Sequence, residues 1–171
     1  CFLGFIGAYF YVGPPIRWAY RGFGEIVIGL CYGPFMLLGS YYIQTQKIAF
    51  GPFFVSLICG LSIFCLAVLN EIPDYYQDML VGKRNLVVRL GKQRALILLK
   101  SGLAAVFVLL ALGVALRIIP LLAIFAMGLI PLLFKGIKFA EKNYEDPKAF
   151  RFAVNTLVAS QVVIFLCLCI S

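Results

Sequence analysis

A group of polar residues between two apolar runs has the types and spacing to hold a divalent cation. Within "NEIPDYYQDMLVGKRNLVVRL", residues 70–90, Asn70, Asp74 and Asp78 follow one another at intervals of four. If the preceding helix continues through this segment, the interval places all three side chains on one face. Oxygen ligands suit Mg²⁺, which usually binds one or two carboxylates together with substrate phosphates. The pattern therefore indicates a candidate Mg²⁺ site.

Two bases follow this acidic stripe closely. Lys83 and Arg84 come directly after Gly82, and cationic side chains there would neutralise phosphate oxygens or a departing diphosphate. The alternative interpretation is an ordinary solvated loop, in which Asp74 and Asp78 balance the two bases. A DxxxD spacing alone is weak evidence. The asparagine one turn earlier, the proline at the helix end and the downstream Gly-Lys-Arg favour a functional site.

The elements that must position these residues are membrane-spanning helices. Hydrophobic residues make up 63% of the chain and charged residues 13%, about half the share found in soluble domains. Apolar runs long enough to cross a bilayer predict an all-α, polytopic transmembrane helical bundle. A β-barrel is excluded because stretches such as "LAAVFVLLALGVAL" do not alternate. The predicted spans are residues 24–45, 48–70, 95–116, 118–134 and 152–170, and a shorter apolar segment covers 1–13.

The distribution of basic residues predicts the orientation. The net charge is +8, yet twelve of the fifteen Lys and Arg residues lie near 14–22, 71–94 and 135–151, whereas the alternate loops carry Lys47 and Arg117. Under the positive-inside rule the three basic loops are cytoplasmic, and five spans after the first of them place the C-terminus outside. This pattern explains the charge without nucleic acid. We expect a multi-pass protein of the cell inner or plasma membrane, with the lipid bilayer as its partner.

Two segments carry a resemblance to a known family. "NEIPDYYQDMLVGKRNLVVRLGKQRA" resembles the second aspartate motif of the UbiA superfamily of intramembrane prenyltransferases. "YVGPPIRWAYRGFGEIVIGLCYGPFMLLGSYYIQTQ" resembles the segment ahead of that motif. The likeness is greatest to the menaquinone branch, the 1,4-dihydroxy-2-naphthoate polyprenyltransferases. It implies a nine-helix bundle, of which this chain would carry the end of the fourth helix and the last five, as a single domain over 1–171.

The resemblance also implies an activity and a set of site residues. The activity is Mg²⁺-dependent transfer of a polyprenyl group from polyprenyl diphosphate to an aromatic quinone precursor such as 1,4-dihydroxy-2-naphthoate. The implied site consists of catalytic carboxylates, metal ligands and diphosphate-binding bases. These are Asp74 and Asp78 as catalytic residues, Asp74, Asp78 and Asn70 as metal ligands, and Lys83, Arg84, Arg17 and Arg21 for the diphosphate. Arg17 and Arg21 are equally well interpreted as positive-inside anchors.

The family's first aspartate motif has no counterpart in this sequence, which begins without methionine at Cys1 in apolar sequence. We therefore expect an N-terminally incomplete chain that is inactive unless an N-terminal part is supplied. Asn85 stands where a threonine is more usual, with no clear consequence. Two alternatives stay open: a noncatalytic membrane fragment or subunit, and a small membrane transporter. A transporter predicts charges at mid-membrane, whereas the acids here lie near one surface.

Overall fold

The computed structural model describes residues 2–142 and 147–169, and every regular element in these ranges is helical. The chain forms two compact units, one up to Leu99 and one from Lys100 onward, and each is described by itself. The α-helices are α1 (Phe2–Val12), α2 (Gly24–Thr45), α3 (Phe50–Glu71), α4 (Tyr75–Leu80), α5 (Leu86–Leu90), α6 (Lys92–Ala115), α7 (Ile130–Lys142) and α8 (Pro147–Cys169). Short 3₁₀ segments cover Trp18–Tyr20 and Leu121–Leu129.

Four of the helical segments are long and apolar enough to cross a membrane. They are Gly24–Thr45, Phe50–Glu71, Lys92–Ala115 and Phe150–Leu168, close to four of the predicted spans. Large apolar side chains on the helices face outward, for example Ile97 at 66% exposure and Val108 at 65%. Such surfaces are costly in water and suit a lipid environment. The chain is an integral membrane protein, and the prediction of an all-α bundle is confirmed.

The predicted span over residues 118–134 is wrong as a single α-helix. Residues Leu121–Leu129 form a 3₁₀ helix that begins after Pro120, and α7 starts only at Ile130. Pro131 has no N–H group and cannot continue an α-helical ladder from the preceding residues, whereas Ile130 donates to the carbonyl of Met127 in the 3₁₀ manner. Hydropathy located this apolar run, but the two prolines break its backbone pattern. The outward orientation of the C-terminus stays a prediction.

A wide turn interrupts the first span as well. Residues Cys31–Phe35 form a π-helical turn inside α2, with Pro34 within it. Proline lacks the N–H that an α-helix requires and crowds the carbonyl of the preceding turn, so the backbone widens locally. The helix resumes at Met36 and runs to Thr45. The segment therefore still spans continuously from Gly24 to Thr45.

Glycines bring α2 and α3 into backbone contact. A Cβ atom added to Gly33 would lie 2.5 Å from the Gly60 Cα and 2.6 Å from the Ser56 carbonyl oxygen. One added to Gly60 would lie 2.6 Å from the Gly29 carbonyl oxygen. Small residues at a helix crossing let two membrane helices approach closely enough for backbone packing. This crossing fixes α2, and with it the turn ahead of α2, against the helix that leads into the acidic segment.

Each unit has its own buried apolar face. In the first unit α3 supplies most of it, and in the second unit α7 packs on α8 beside the 3₁₀ segment. The first set includes Phe54, Ile58, Cys65, Val68, Leu69 and Ile72. The second includes Leu103, Leu110, Ala126, Leu133, Ile137, Ala153, Leu157 and Ile164. The end of the first set, at Ile72, lies directly beside the residues with the candidate chemistry.

Candidate functional site

The helix that leads into the acidic segment ends before it reaches the aspartates. Pro73 cannot donate to the Leu69 carbonyl, and the chain instead makes two tighter turns, from Ile72 N–H to Leu69 O and from Tyr75 N–H to Ile72 O, each 3.4 Å. The predicted continuous helix carrying Asn70, Asp74 and Asp78 on one face is therefore wrong. Asn70 lies on α3, while the two aspartates share the first turn of α4, where Asp78 N–H donates to Asp74 O at 2.8 Å.

The three predicted metal ligands differ in their surroundings. Asn70 and Asp74 are exposed, and the Asp74 side chain makes no capping hydrogen bond at the start of α4. The Asp78 side chain is only 14% exposed. It accepts a hydrogen bond from Lys83 Nζ at 2.9 Å and another from Asn85 Nδ2 at 2.6 Å, both at Oδ2. Asp78 is thus a carboxylate held by two donors, and Asp74 is an exposed one.

A tight turn after α4 returns Lys83 to Asp78. Gly82 has a φ of +72° and its N–H donates to Met79 O at 3.2 Å, while Lys83 N–H donates to Asp78 O at 2.9 Å. This pair of bonds, with a left-handed residue at the first position after the cap, is the Schellman arrangement. Because glycine adopts positive φ without a steric penalty, it suits this position. The Gly-Lys-Arg motif therefore has a structural reason, which is to bring the base back over the acid.

We expect Gly82→Ala to lower the free energy of unfolding by about 1 to 2 kcal/mol, because alanine is strained at positive φ. No atom lies within 4 Å of the added Cβ, so this strain is the whole expected effect. The matched control is Gly128→Ala, which also has open space but lacks a positive φ. Thermal unfolding in detergent micelles, followed by circular dichroism, compares the two. Equal unfolding temperatures for both variants would contradict the assigned turn.

Lys83 is held between two acids. Its Nζ lies 2.9 Å from Asp78 Oδ2 and 3.7 Å from Glu71 Oε1. Burial lowers the pKa of Lys83, but the hydrogen bond to Asp78 and the charges of Glu71 and Asp78 outweigh burial and raise that pKa above its ordinary value. The folded state therefore holds this proton more tightly than the unfolded chain. Its contribution to stability is fully present below the ordinary lysine pKa and is lost only as pH rises through the higher folded value.

Asn85 and Glu25 bond the backbone around the site. The sequence did not predict that either residue belongs to it. Asn85 is fully buried and caps α5, where its Oδ1 accepts from Val88 N–H at 2.8 Å. Glu25, in the first turn of α2 and 1% exposed, accepts from Leu86 N–H at 2.9 Å. Its other oxygen has no hydrogen-bond partner among the described residues, and its carboxyl lies against that of Glu71. The signal for Asn85 was its position before a short apolar helix, whereas nothing local pointed to Glu25.

The structure places the predicted diphosphate-binding arginines around one pair of turns. Arg84 N–H donates to Tyr20 O at 3.2 Å, which joins the segment after α4 to the turn before α2. Arg17, Arg21 and Arg84 are all exposed. The Arg17 guanidinium carbon lies 5.9 Å from the Tyr20 ring centroid, and Arg21 Nη2 donates to Pro15 O at 3.1 Å. Two basic loops that are far apart in sequence therefore meet on the same side of the first unit, as the charge pattern predicts for cytoplasmic loops.

The carboxylates of this site suit Mg²⁺ only if water and a substrate phosphate supply the ion's remaining ligands. The part of the chain that the structure describes has no group of three or more His, Cys, Asp or Glu side chains able to hold a metal ion. Mg²⁺ commonly binds one or two carboxylates and completes its shell with water and substrate phosphate. Asp74 and Asp78, one turn apart at an exposed helix start, fit that mode. The two aspartates would hold the ion, with bases nearby for the phosphate.

Comparison with known proteins identifies the family of this chain. Residues 1–157 match the model of the UbiA prenyltransferase family. The 1,4-dihydroxy-2-naphthoate octaprenyltransferase of Bacillus subtilis (strain 168) is 31% identical over 108 residues, 61% of this chain and 35% of that protein. The 2-carboxy-1,4-naphthoquinone phytyltransferase of Synechocystis sp. is 32% identical over 87 residues, 51% of this chain and 28% of that protein.

A eukaryotic relative extends the comparison. The UbiA prenyltransferase domain-containing protein 1 of Dictyostelium discoideum is 31% identical over 88 residues, 52% of this chain and 27% of that protein. The matched part thus covers about a third of the length of these relatives or less. No solved structure matches the chain significantly. Because the family model covers most of the sequence, the assignment rests on more than the acidic motif: the chain belongs to the UbiA prenyltransferase family.

Proposed function

We propose that this chain provides the second aspartate motif and its supporting bases to a Mg²⁺-dependent prenyltransferase of quinone biosynthesis. The donor would be a polyprenyl diphosphate and the acceptor an aromatic quinone precursor such as 1,4-dihydroxy-2-naphthoate. The observation that carries the proposal is the pair Asp74 and Asp78 at the end of a membrane span, with Asp78 fixed by Lys83 and Asn85. Names of relatives from the menaquinone branch support the choice of acceptor.

The residues would act by binding and by charge. Asp74 and Asp78 would hold Mg²⁺, which when bound would neutralise the diphosphate and favour its departure from the allylic carbon. Arg84, Arg17 and Arg21 are exposed on neighbouring turns and would contact the phosphate oxygens. Lys83 would hold the Asp78 carboxylate in place. Departure of the diphosphate leaves an electron-poor prenyl carbon, and the electron-rich ring of the acceptor would form the new bond to it. The substituted ring carbon would then lose the group it carried, a proton or carbon dioxide, and the ring would regain aromaticity.

We place this site on the cytoplasmic side of the cell inner or plasma membrane. The basic loops near 14–22 and 71–94 meet in the first unit, and the positive-inside rule assigns such loops to the cytoplasm. The proposal also includes a C-terminus on the outer side, which requires the helical run over 121–142 to cross the membrane as well. The cytoplasmic placement of the site can be tested with single cysteines introduced near residues 80 and 47, in a background without the six native cysteines. The cysteines are labelled with a membrane-impermeant maleimide. The proposal predicts labelling of intact cells at the second position and not at the first.

The activity is tested with this chain alone and with a hybrid protein. In the hybrid, the part of the Bacillus subtilis relative that precedes the matched region is joined to the N-terminus of this chain. Membranes containing each protein are assayed for transfer of a labelled prenyl group from polyprenyl diphosphate to 1,4-dihydroxy-2-naphthoate. We expect transfer by the hybrid that is abolished by removal of Mg²⁺. A hybrid that inserts and folds but transfers nothing to any quinone precursor would overturn the proposal.

A comparison of Lys83→Met and Arg84→Met distinguishes a residue that holds Asp78 from one that binds the diphosphate substrate. Lys83→Met removes a charged hydrogen bond to Asp78, so we expect the free energy of unfolding to fall by about 1.5 to 3 kcal/mol. The Arg84 side chain is exposed, so Arg84→Met should change stability by less than about 0.5 kcal/mol. In the hybrid, Arg84→Met should raise the KM for the diphosphate substrate about tenfold. An unchanged KM would remove Arg84 from the binding site.

A further inference from the structure

We propose that Asn85 is a positioning residue for Asp78, which it holds by one carboxylate oxygen so that the other remains for the cation. This inference rests on the proposed function, because it concerns the orientation of a proposed metal ligand. It assigns a role to a side chain that the acidic motif does not include. The role depends on three features of the structure: the fixed direction of the Asn85 amide, the anchoring of its backbone, and the convergence of two donors on one oxygen.

The direction of the Asn85 amide is determined by its own backbone. Its Oδ1 accepts from Val88 N–H at 2.8 Å, which is the capping bond of α5. With the oxygen committed there, the amide nitrogen must point the other way, and it donates to Asp78 Oδ2 at 2.6 Å. Asn85 is fully buried, so water does not compete for either contact. The residue can therefore offer only a donor to Asp78, which suits an ionised carboxylate.

The backbone that carries Asn85 is tied to a membrane span. Glu25, at the start of α2, accepts from the N–H of Leu86, the residue directly after Asn85, at 2.9 Å. The Arg84 N–H, on the other side of Asn85, donates to Tyr20 O at 3.2 Å. Both neighbours of Asn85 are thus bonded to the chain around the start of α2, more than 60 residues earlier. Asn85 is held from both sides, which a positioning residue requires.

Two donors meet at the same atom of Asp78. Lys83 Nζ and Asn85 Nδ2 both bond Oδ2, at 2.9 and 2.6 Å. In the described structure Oδ1 takes no part in either contact, so it is the oxygen left to a cation. A carboxylate held in this way binds a metal ion through one oxygen rather than two. Outer hydrogen bonds of this kind orient metal ligands and commonly change metal affinity when removed.

The test separates the capping bond of Asn85 from its bond to Asp78. Asn85→Ser keeps a good capping oxygen but lacks the amide nitrogen, and its shorter side chain ends before Asp78. Asn85→Ala loses both contacts. The purified chain in detergent micelles is titrated with Mn²⁺, a paramagnetic substitute for Mg²⁺, in the presence of inorganic diphosphate, and bound ion is counted by electron paramagnetic resonance. Unfolding temperatures are measured on the same samples. Asn155→Ser, at an exposed position on α8, is the matched control.

We expect Asn85→Ser to lose less stability than Asn85→Ala, because it keeps the capping oxygen, while its dissociation constant for Mn²⁺ rises about ten- to a hundredfold. Asn85→Ala should show the same loss of binding and a lower unfolding temperature. Asp78→Asn should also weaken binding, and adding Asn85→Ser to it should cause little further loss, because the two side chains act through one contact. Asn155→Ser should match the wild type in both measurements.

Any other result contradicts either the role of Asn85 or the proposed metal site. Wild-type Mn²⁺ affinity in Asn85→Ser, together with weak binding by Asp78→Asn, overturns the role of Asn85 and leaves the proposed function standing. An equal fall in unfolding temperature for Asn85→Ser and Asn85→Ala overturns the role as well, because Mn²⁺ binding would then be lost with the local fold and not with the single contact to Asp78. If Asp78→Asn binds Mn²⁺ as the wild type does, or if the wild type binds none, the metal site of the proposed function is wrong and this inference fails with it.

Discussion

Asp74→Asn is expected to reduce prenyl transfer by the hybrid protein on the order of 10²- to 10³-fold, with no change in its unfolding temperature. The side chain is exposed and makes no capping hydrogen bond, so nothing in the fold depends on its charge. Its proposed role is confined to the metal ion and the diphosphate, where loss of one carboxylate removes a ligand. The Mg²⁺ concentration needed for half-maximal activity should therefore rise as well.

Asp78→Asn should differ from Asp74→Asn in one respect, which is its effect on stability. An asparagine there lacks the negative charge that strengthens the hydrogen bonds from Lys83 and Asn85, so stability should fall along with activity. Gln77→Ala provides the control, because Gln77 is exposed on the same short helix and has no part in the proposed site. The measurements are prenyl transfer in membranes and unfolding in micelles. An Asp74→Asn hybrid with more than half of the wild-type activity would show that Asp74 is only a solvated loop acid.

The sequence predicts the membrane architecture well where one physical rule dominates. Apolar length located the spans at 24–45, 48–70, 95–116 and 152–170 within a few residues, because burial in lipid requires long apolar helices. The rule failed at 118–134, where hydropathy is high but Pro120 and Pro131 break the α-helical ladder. The prolines were visible in the sequence. Hydropathy averaged over a window of residues takes no account of the N–H group that a proline lacks.

The candidate site was predictable in its residue types and less so in its geometry. The spacing of Asn70, Asp74 and Asp78 suggested one helical stripe, but Pro73 removes the hydrogen bond that would carry α3 through it. Gly82 was the readable signal for the turn that returns Lys83 to Asp78. The contact between Glu25 and Leu86 joins residues 61 apart, and no local pattern encodes such a pair. A single sequence therefore indicates which groups are present before it indicates which of them touch.

The largest effect on folding is expected from Gly33→Ala, at the crossing of the first two spans. The added Cβ would lie 2.5 Å from Gly60 Cα, 2.6 Å from Ser56 O and 2.7 Å from Gly60 N, all backbone atoms that no side-chain rotation can move. The helices must separate, and the contacts that carry α2 against α3 weaken together. Overpacking of this kind typically costs about 1 to 3 kcal/mol and occasionally more, and we expect the upper end here.

Gly39→Ala on the same helix is the matched control, since an added Cβ there meets nothing within 4 Å. Alanine is also the better helix former by about 1 kcal/mol, so this variant should be as stable as the wild type or more stable. Unfolding by sodium dodecyl sulfate, followed by circular dichroism, compares the two alanines directly. Because Glu25 lies at the start of α2 and bonds Leu86, separation of the helices should also disturb the frame around Asn85 and weaken Mn²⁺ binding in Gly33→Ala. Equal stability of the two variants would mean that α2 and α3 do not cross at these glycines.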